Sequence, residues 1–127
     1  MPVSHSFEGQ YVVLSMRGHY STQELRDAVE AALTDPQRTP LTALLFDLRE
    51  SLSLEGRTAA DVAKMARFLG ERGAMYGNRL AMVAPTDLAY GLMRMGAVLA
   101  ENGGVESAVF RDIASAVEWL ERGTAGR

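Results

Sequence analysis

The stretch NRLAMVAPTDLAYGLMRMGAVLAENGG, residues 78–104, decides the fold. Its apolar run Leu80–Ala84 ends at Pro85, and Thr86–Asp87 then begins a long segment rich in leucine, methionine and alanine that stops at a glycine pair. A short apolar run followed by a capping residue and helical periodicity indicates a strand that leads directly into a helix. That pair of elements is the building unit of an α/β sheet.

The same unit occurs on both sides of this stretch. Before it, Leu41–Leu48 is almost continuously apolar, as expected of a central parallel strand covered on both faces, and Thr58–Asp61 resembles the start of a helix. After it, Val105–Phe110 reads as a last strand, and Asp112 is placed to cap a last helix that ends at Gly123. Three strand-helix units therefore follow one another.

The first part of the chain adds a hairpin and one more helix. Val3–Phe7 and Tyr11–Met16 have the alternation and β-branched content of strands, and Ser21–Glu24 has the form of a capping box. The order β-β-α-β-α-β-α-β-α predicts one α/β domain over residues 1–123, with a mixed, mostly parallel five-stranded sheet and about four helices. Residues 124–127 are expected to form a flexible tail.

Composition narrows the classes of function. The chain has 127 residues, a net charge of −3 and no cysteine, which excludes disulfides and thiolate chemistry and argues against a nucleic-acid partner. Its first ten residues lack the basic and apolar regions of a signal peptide, and no stretch has the apolar length of a membrane span. We therefore expect a cytoplasmic protein without a cofactor.

No catalytic or metal-binding pattern stands out. His5 and His19 lie far from each other and from other donors, so no metal site is predicted. A Ser-His-Asp triad would need Ser51 or Ser53, His19 and Asp47, but no G-x-S-x-G turn presents either serine. We therefore expect a protein that is not an enzyme.

Two places carry candidate binding residues. The first is the end of the central strand, where Asp47 and Arg49 are expected at the carboxyl edge of the sheet, because open α/β sheets bind ligands there. The polar connection that follows contains Leu52 and Leu54. These two leucines either fold back onto the core, which is the favoured interpretation, or cover an apolar pocket.

The second place is the helix in residues 86–100. Its expected core stripe comprises Leu88, Leu92, Met95 and Leu99. A neighbouring face is also apolar or small, and it comprises Ala89, Met93, Gly96, Ala97 and Ala100. A face of this width is either buried within the monomer, paired with a second subunit or protein partner, or placed against a lipophilic ligand or membrane. Tyr90, Met93 and Arg94 are the candidate ligand contacts of this helix.

Four segments carry a resemblance to a known family. They are FDLR at 46–49, LAMVAP at 80–85, YGLMRM at 90–95 and VFRDIASAVEWL at 109–120. With the order of elements, they resemble the SpoIIAA-like (STAS/SEC14-type) bacterial proteins over nearly the whole chain. The resemblance implies a small mixed sheet with helices packed on it, related both to anti-sigma factor antagonists and to lipid-carrying SEC14 proteins.

The anti-sigma antagonists are phosphorylated on a hydroxyl at the start of the helix that follows the central strand. In this chain the corresponding motif falls on residues 55–58, EGRT, which contains no serine. Thr58 is therefore only a weak regulatory candidate, and its simpler role is that of a helix cap.

These observations favour a non-enzymatic binding domain for a lipophilic small molecule, or one that associates transiently with a membrane surface. Apolar side chains would bury the ligand, and Asp47, Arg49 or Arg94 would orient its polar head. The alternative is a regulator of the anti-sigma antagonist type that binds a protein partner and lacks a conventional phosphoserine motif.

Overall fold

The computed structural model describes residues 2–36 and 41–125. It contains five strands and four α-helices in this part of the chain, and short 3-10 turns at Leu54–Gly56 and Gly73–Tyr76. The elements in chain order are β1 Val3–Glu8, β2 Tyr11–Gly18, α1 Thr22–Leu33, β3 Ala43–Ser51, α2 Ala59–Glu71, β4 Arg79–Val83, α3 Asp87–Asn102, β5 Glu106–Phe110 and α4 Ile113–Ala125. The predicted fold class is confirmed.

The strands form one sheet in the order β1-β2-β3-β4-β5. β1 pairs with β2 antiparallel, and every later neighbour pairs parallel. β3 is the central strand, as its continuous apolar sequence predicts. Each parallel connection carries one helix, which is the right-handed crossover arrangement that α/β sheets use.

The alternation of side chains along β3 separates two cores. Leu44, Phe46 and Leu48 join the larger core with α1, α2 and α3. Ala43 and Leu45 point to the opposite face, where they pack with Ala81, Val83 and residues of α4. Three helices thus cover one face of the sheet and one helix covers part of the other.

The predicted helix starts are confirmed by their caps. Ser21 and Thr58 each form a complete capping box with the carboxylate three residues later. The Thr86 hydroxyl accepts a hydrogen bond from the Ala89 N–H at 3.1 Å, and the Asp112 carboxylate accepts one from the Ser115 N–H at 2.8 Å. Each bond satisfies a backbone donor that the first helical turn leaves free.

Element ends differ by two or three residues from the sequence prediction. β3 begins at Ala43 and continues to Ser51, so the connection to α2 is shorter than expected. The backbone of α4 continues to Ala125, two residues beyond Gly123, because glycine permits a helix to end but does not force it to. Residues 126–127 of the expected tail lie outside the described residues.

The most deeply buried face of α3 is the neighbouring small-residue face and not the predicted leucine and methionine stripe. Ala89, Ala97 and Ala100 are buried, whereas the predicted core residues Leu88 and Met95 are 62% and 36% exposed. The predicted core residues Leu92 and Leu99 are only partly buried. Small side chains let the helix approach its neighbours closely, and hydrophobicity alone could not select this face because large apolar residues occupy the other side.

Candidate functional site

A cavity lies between the larger face of the sheet and the helices that cover it. β3 and β4 form its floor, α2 and α3 its walls, and the start of α1 and the 3-10 turn before α2 its end. Its lining residues are Tyr20, Thr22, Leu25, Phe46, Leu48, Leu54, Arg57, Asp61, Val62, Met65, Ala66, Leu69, Leu80, Met82, Met93, Gly96 and Ala100. The location follows from the topology, because α2 and α3 follow neighbouring parallel strands on the same face.

The cavity is apolar along its length and polar at one end. Most of its lining side chains are apolar, and those that carry polar groups are Tyr20, Thr22, Arg57 and Asp61. Those four lie where β2 ends and where α1 and α2 begin. The cavity therefore has a polar mouth at the carboxyl edge of the central strands.

The cavity is small. Its volume is about 70 Å³, several times the roughly 10–15 Å³ that a cavity needs to hold one water. The residues of α2 that line it run from Asp61 to Leu69, a distance of about 12 Å along a helix that rises 1.5 Å per residue.

Arg57 dominates the polar mouth. Its Nη2 donates a hydrogen bond to the Tyr20 carbonyl at 2.6 Å, and its guanidinium lies 5.1 Å from the centroid of the Tyr20 ring. The Tyr20 and Ser51 hydroxyls form a hydrogen bond of 2.8 Å. The Ser53 hydroxyl accepts a hydrogen bond from the Tyr20 N–H. The last residues of β3 and the following turn thus hold Tyr20 and Arg57 in place.

The charge of Arg57 is not used in a salt bridge with any described side chain. Asp61, also at the mouth, is occupied by the capping box of α2: its Oδ2 accepts the Thr58 N–H at 3.0 Å. Hydrogen bonds from Thr58 lower the pKa of the Asp61 carboxyl, and the charge of Arg57 contributes in the same direction. Arg57 is therefore the cation that an acceptor group of a ligand would meet.

Among solved structures, the chain is similar to the crystal structure of an uncharacterized protein of the DUF3478 family from Shewanella loihica PV-4, described as having a SpoIIAA-like fold. The two share 22% sequence identity with a TM-score of 0.56, and the match covers 93% of this chain and 91% of that chain. This chain has a SpoIIAA-like fold. No family model and no curated protein sequence matches it.

The SpoIIAA-like fold places Asp47 and Arg49 away from the cavity, contrary to their expected role beside the leucine-lined pocket. Asp47 continues the alternation of Ala43 and Leu45 toward the face of α4, and neither Asp47 nor Arg49 lines the cavity. Arg49 donates from Nε and Nη2 to the two Asp47 carboxylate oxygens, each at 2.9 Å. These hydrogen bonds lower the pKa of the Asp47 carboxyl. The two charged side chains are therefore paired with each other and do not face the cavity.

The two leucines of the connection after β3 have different environments in this SpoIIAA-like fold. Leu54 is buried, lines the cavity and belongs to the larger core. Leu52 is 65% exposed. The interpretation that both fold back onto the core is thus confirmed for Leu54 and wrong for Leu52, which follows the end of β3 on the solvent side.

The three candidate residues of α3 are also divided by the SpoIIAA-like fold. Met93 lines the cavity. Tyr90 packs against the larger core but does not line the cavity, and Arg94 is exposed with its guanidinium 6.0 Å from the Tyr90 ring centroid. Arg94 thus lies on the exposed side of α3, away from the cavity that it was expected to serve.

Thr58 is exposed at the N-cap of α2, as its favoured interpretation as a helix cap predicts. Its hydroxyl accepts the Asp61 N–H at 3.1 Å. A phosphate on this hydroxyl would replace that bond and stand beside the Asp61 carboxylate, where like charges repel. The local geometry favours the capping role.

Sequence reasoning missed Arg57 and Tyr20. Arg57 lies in a polar Gly-Arg-Thr segment of the kind that commonly precedes a helix, and Tyr20 lies in the short connection after a strand. Neither position has a sequence pattern that indicates binding. The signal that could have identified Arg57 is its position immediately before the cap of the helix after the central strand, where ligands of α/β sheets bind.

Two further classes of site find no support in residues 2–36 and 41–125. No group of three or more histidine, aspartate or glutamate side chains there is arranged to hold a metal ion. None of the helices in this part of the chain combines the length and apolarity required to cross a bilayer.

Proposed function

We propose that this protein is a non-enzymatic cytoplasmic binding domain that takes the apolar chain of a lipophilic small molecule into the cavity beneath α2 and α3. The observation that carries the proposal is the combination of an apolar slot with a single cation, Arg57, at its polar mouth. Burial of apolar ligand surface would supply most of the affinity, at roughly 25 cal/mol for each Å² removed from water.

The shape of the cavity selects the class of ligand. A volume of about 70 Å³ is too small to enclose a drug-sized molecule, whose pockets span roughly 300–1,000 Å³. A single unbranched acyl chain can enter such a slot end first, with its carboxylate left at the mouth beside Arg57. Arginine suits that position because its planar guanidinium presents several donors to a carboxylate.

Methionines supply the adaptability that a longer chain needs. Met65 of α2 and Met93 of α3 line opposite walls, and both are only partly buried. Methionine has three rotatable bonds and fills irregular space readily, so rotation of these side chains can widen the slot without moving the helices. The Met82 side chain on the floor extends the same apolar surface.

The test is to measure the binding of a series of fatty acids that differ only in chain length. Calorimetry gives the affinities, and native mass spectrometry of gently purified protein detects the bound molecules. We expect affinity to rise with chain length and then level off when the slot is full. Ala66→Leu, which fills the cavity from α2, should lower affinity at least about tenfold, a loss of about 1.4 kcal/mol. Ala60→Leu, on an exposed position of the same helix, is the matched control.

The head group is tested separately. Arg57→Gln should weaken binding of a fatty acid but leave binding of the alcohol of equal chain length nearly unchanged, because only the carboxylate pairs with the guanidinium. The proposal fails if no member of the series binds, or if Ala60→Leu and Ala66→Leu lower affinity equally. Flotation with lipid vesicles in the absence of free fatty acid would instead indicate association with a membrane surface.

A further inference from the structure

The outward side of α3 carries an apolar stripe that the fold of one chain does not bury. We define the outer stripe as the heptad-spaced residues Leu88, Gly91, Met95, Val98 and Asn102. Leu88 is 62% exposed, Val98 57% and Met95 36%. Intervals of three and four residues place the stripe on one side of the helix, opposite the buried Ala89, Ala97 and Ala100.

Charged residues follow one flank of the outer stripe. Asp87, Arg94 and Glu101 recur every seven residues, whereas the half-buried Leu92 and Leu99 occupy the other flank. Asp87 pairs with Arg111 of the same chain. Arg94 and Glu101 take part in none of the salt bridges among the described side chains.

We infer that residues 91–102, the C-terminal part of the outer stripe, are the contact surface for a second copy of this chain, with the two α3 helices antiparallel. A two-fold axis perpendicular to both helices turns one copy end for end, so each flank meets the same flank of the other copy. Arg94 then faces the partner's Glu101, and the symmetry repeats the pair. In a parallel arrangement the charged flank would meet the leucine flank instead, and both charges would stay unpaired.

The charges also select the register. If the full lengths of the two helices overlapped, Arg94 would lie opposite its own copy, and like charges in contact are unfavourable. A shift toward the C-terminal half brings residues 91–102 of the two helices side by side. Met95 then packs against the partner's Val98, and Gly91 lies opposite the partner's Asn102, where the absence of a side chain allows close approach.

A membrane surface fits the stripe less well. Two of the three flanking charges are acidic, and the chain as a whole carries a net charge of −3. Anionic lipid attracts clusters of lysine and arginine, which this flank lacks. A contact between one helix and one helix buries little surface, less than the roughly 1,200 Å² at which stable interfaces begin. We therefore expect a concentration-dependent dimer.

The experiment is sedimentation velocity from low micromolar to millimolar protein, with a charge-swap cycle. Arg94→Glu and Glu101→Arg should each weaken the dimer about tenfold, because each places two like pairs across the axis. The double variant should return to wild-type affinity. Arg67→Glu, an exposed charge on α2, is the control and should leave the dimer unchanged.

Cysteine cross-linking provides a second readout, since the natural chain has no cysteine. A mixture of Met95→Cys and Val98→Cys proteins should form a disulfide-linked dimer under mild oxidation, whereas Met75→Cys, also at an exposed apolar position, should not. A chain that stays monomeric at millimolar concentration overturns the inference. So does a double charge variant no tighter than either single variant, or binding of the stripe to vesicles in place of a second copy.

Discussion

Arg57 and Arg49 show how the position of a single side chain decides its chemistry. Arg49 lies near the end of β3 and Arg57 follows that strand, so both are cations near the carboxyl edge of the sheet. Arg49 already donates two hydrogen bonds of 2.9 Å to Asp47, so a ligand would have to displace a satisfied pair. Arg57 donates to a backbone carbonyl and retains its charge for an acceptor at the cavity. Arg49 lies in β3 and is bonded to Asp47 two residues earlier, whereas Arg57 lies in the connection after β3 and lines the cavity.

The Asp47–Arg49 pair predicts a pH dependence of stability. Hydrogen bonds from Arg49 lower the pKa of the Asp47 carboxyl in the folded state. A lowered folded pKa means that the pair stabilises the fold above the unfolded pKa of about 3.9, and that this contribution is lost as the pH falls through the folded pKa. Titration of the Asp47 carboxyl carbon by NMR should give a pKa below the ordinary value. Arg49→Gln should raise it, and an unchanged value would contradict the assignment.

Thr58 predicts a loss of stability that does not depend on signalling. Thr58→Ala removes the hydroxyl that accepts the Asp61 N–H, and loss of an N-cap typically costs about 1 kcal/mol of the free energy of unfolding. Thr58→Ser keeps the acceptor and should stay close to wild type. Urea denaturation of both variants measures the difference. Equal stability of the alanine and serine variants would show that the cap contributes nothing.

At the scale of elements, the local signals of α3 were readable and its orientation was not. The Thr86 cap and the terminal glycine pair depend on backbone donors and acceptors close in sequence, so the ends of the helix could be predicted. Which face is buried depends on how near the sheet and α2 approach. A Cβ on Gly96 would lie 3.2 Å from the Val62 Cγ1 atom. The periodicity of apolar residues in the sequence cannot predict how closely two helices approach.

Two glycines of α3 test this close approach. Alanine is favoured over glycine in a helix by about 1 kcal/mol, and a Cβ on Gly91 meets no atom within 4 Å. Gly91→Ala should therefore stabilise the protein, whereas crowding against Val62 should cancel most of the gain in Gly96→Ala. Thermal unfolding at low protein concentration, where any contact between copies is absent, compares the two. A Gly96→Ala gain as large as that of Gly91→Ala would argue against tight packing of α2 on α3.

At the scale of the molecule, the order of elements determined the sheet, because consecutive strand-helix units build parallel neighbours by right-handed connections. The cavity could not be predicted in the same way. Its lining comes from residues as distant as Tyr20 and Ala100, and it exists because α2 and α3 leave a gap above Phe46 and Met82. Leu54 and Met93 were identified as candidates from apolar character alone, and the polar mouth required knowledge of which strand face the helices cover.

Arg79 joins β4 to β5 and to α4, and it provides a test of how α4 is docked on the sheet. The Arg79 side chain is only 7% exposed. Its Nε donates a hydrogen bond to Glu106 at 2.7 Å, and its Nη1 donates one to the Trp119 carbonyl at 3.2 Å. Its guanidinium also lies 3.7 Å from the centroid of the Trp119 ring. Arg79→Met keeps the apolar stem and removes these contacts, so the free energy of unfolding should fall by about 2 kcal/mol. Trp119 is the only tryptophan of the chain, and its fluorescence reports the docking of α4 on the sheet during urea denaturation.

Arg122→Met is the control for this prediction. It loses only an exposed salt bridge on α4, so the free energy of unfolding should change by no more than about 1 kcal/mol. Equal losses of stability in the two variants would show that Arg79 does not anchor α4. In Arg79→Met, a fluorescence transition at lower urea than the loss of helical circular dichroism would show that α4 separates from the sheet before the rest of the fold unfolds.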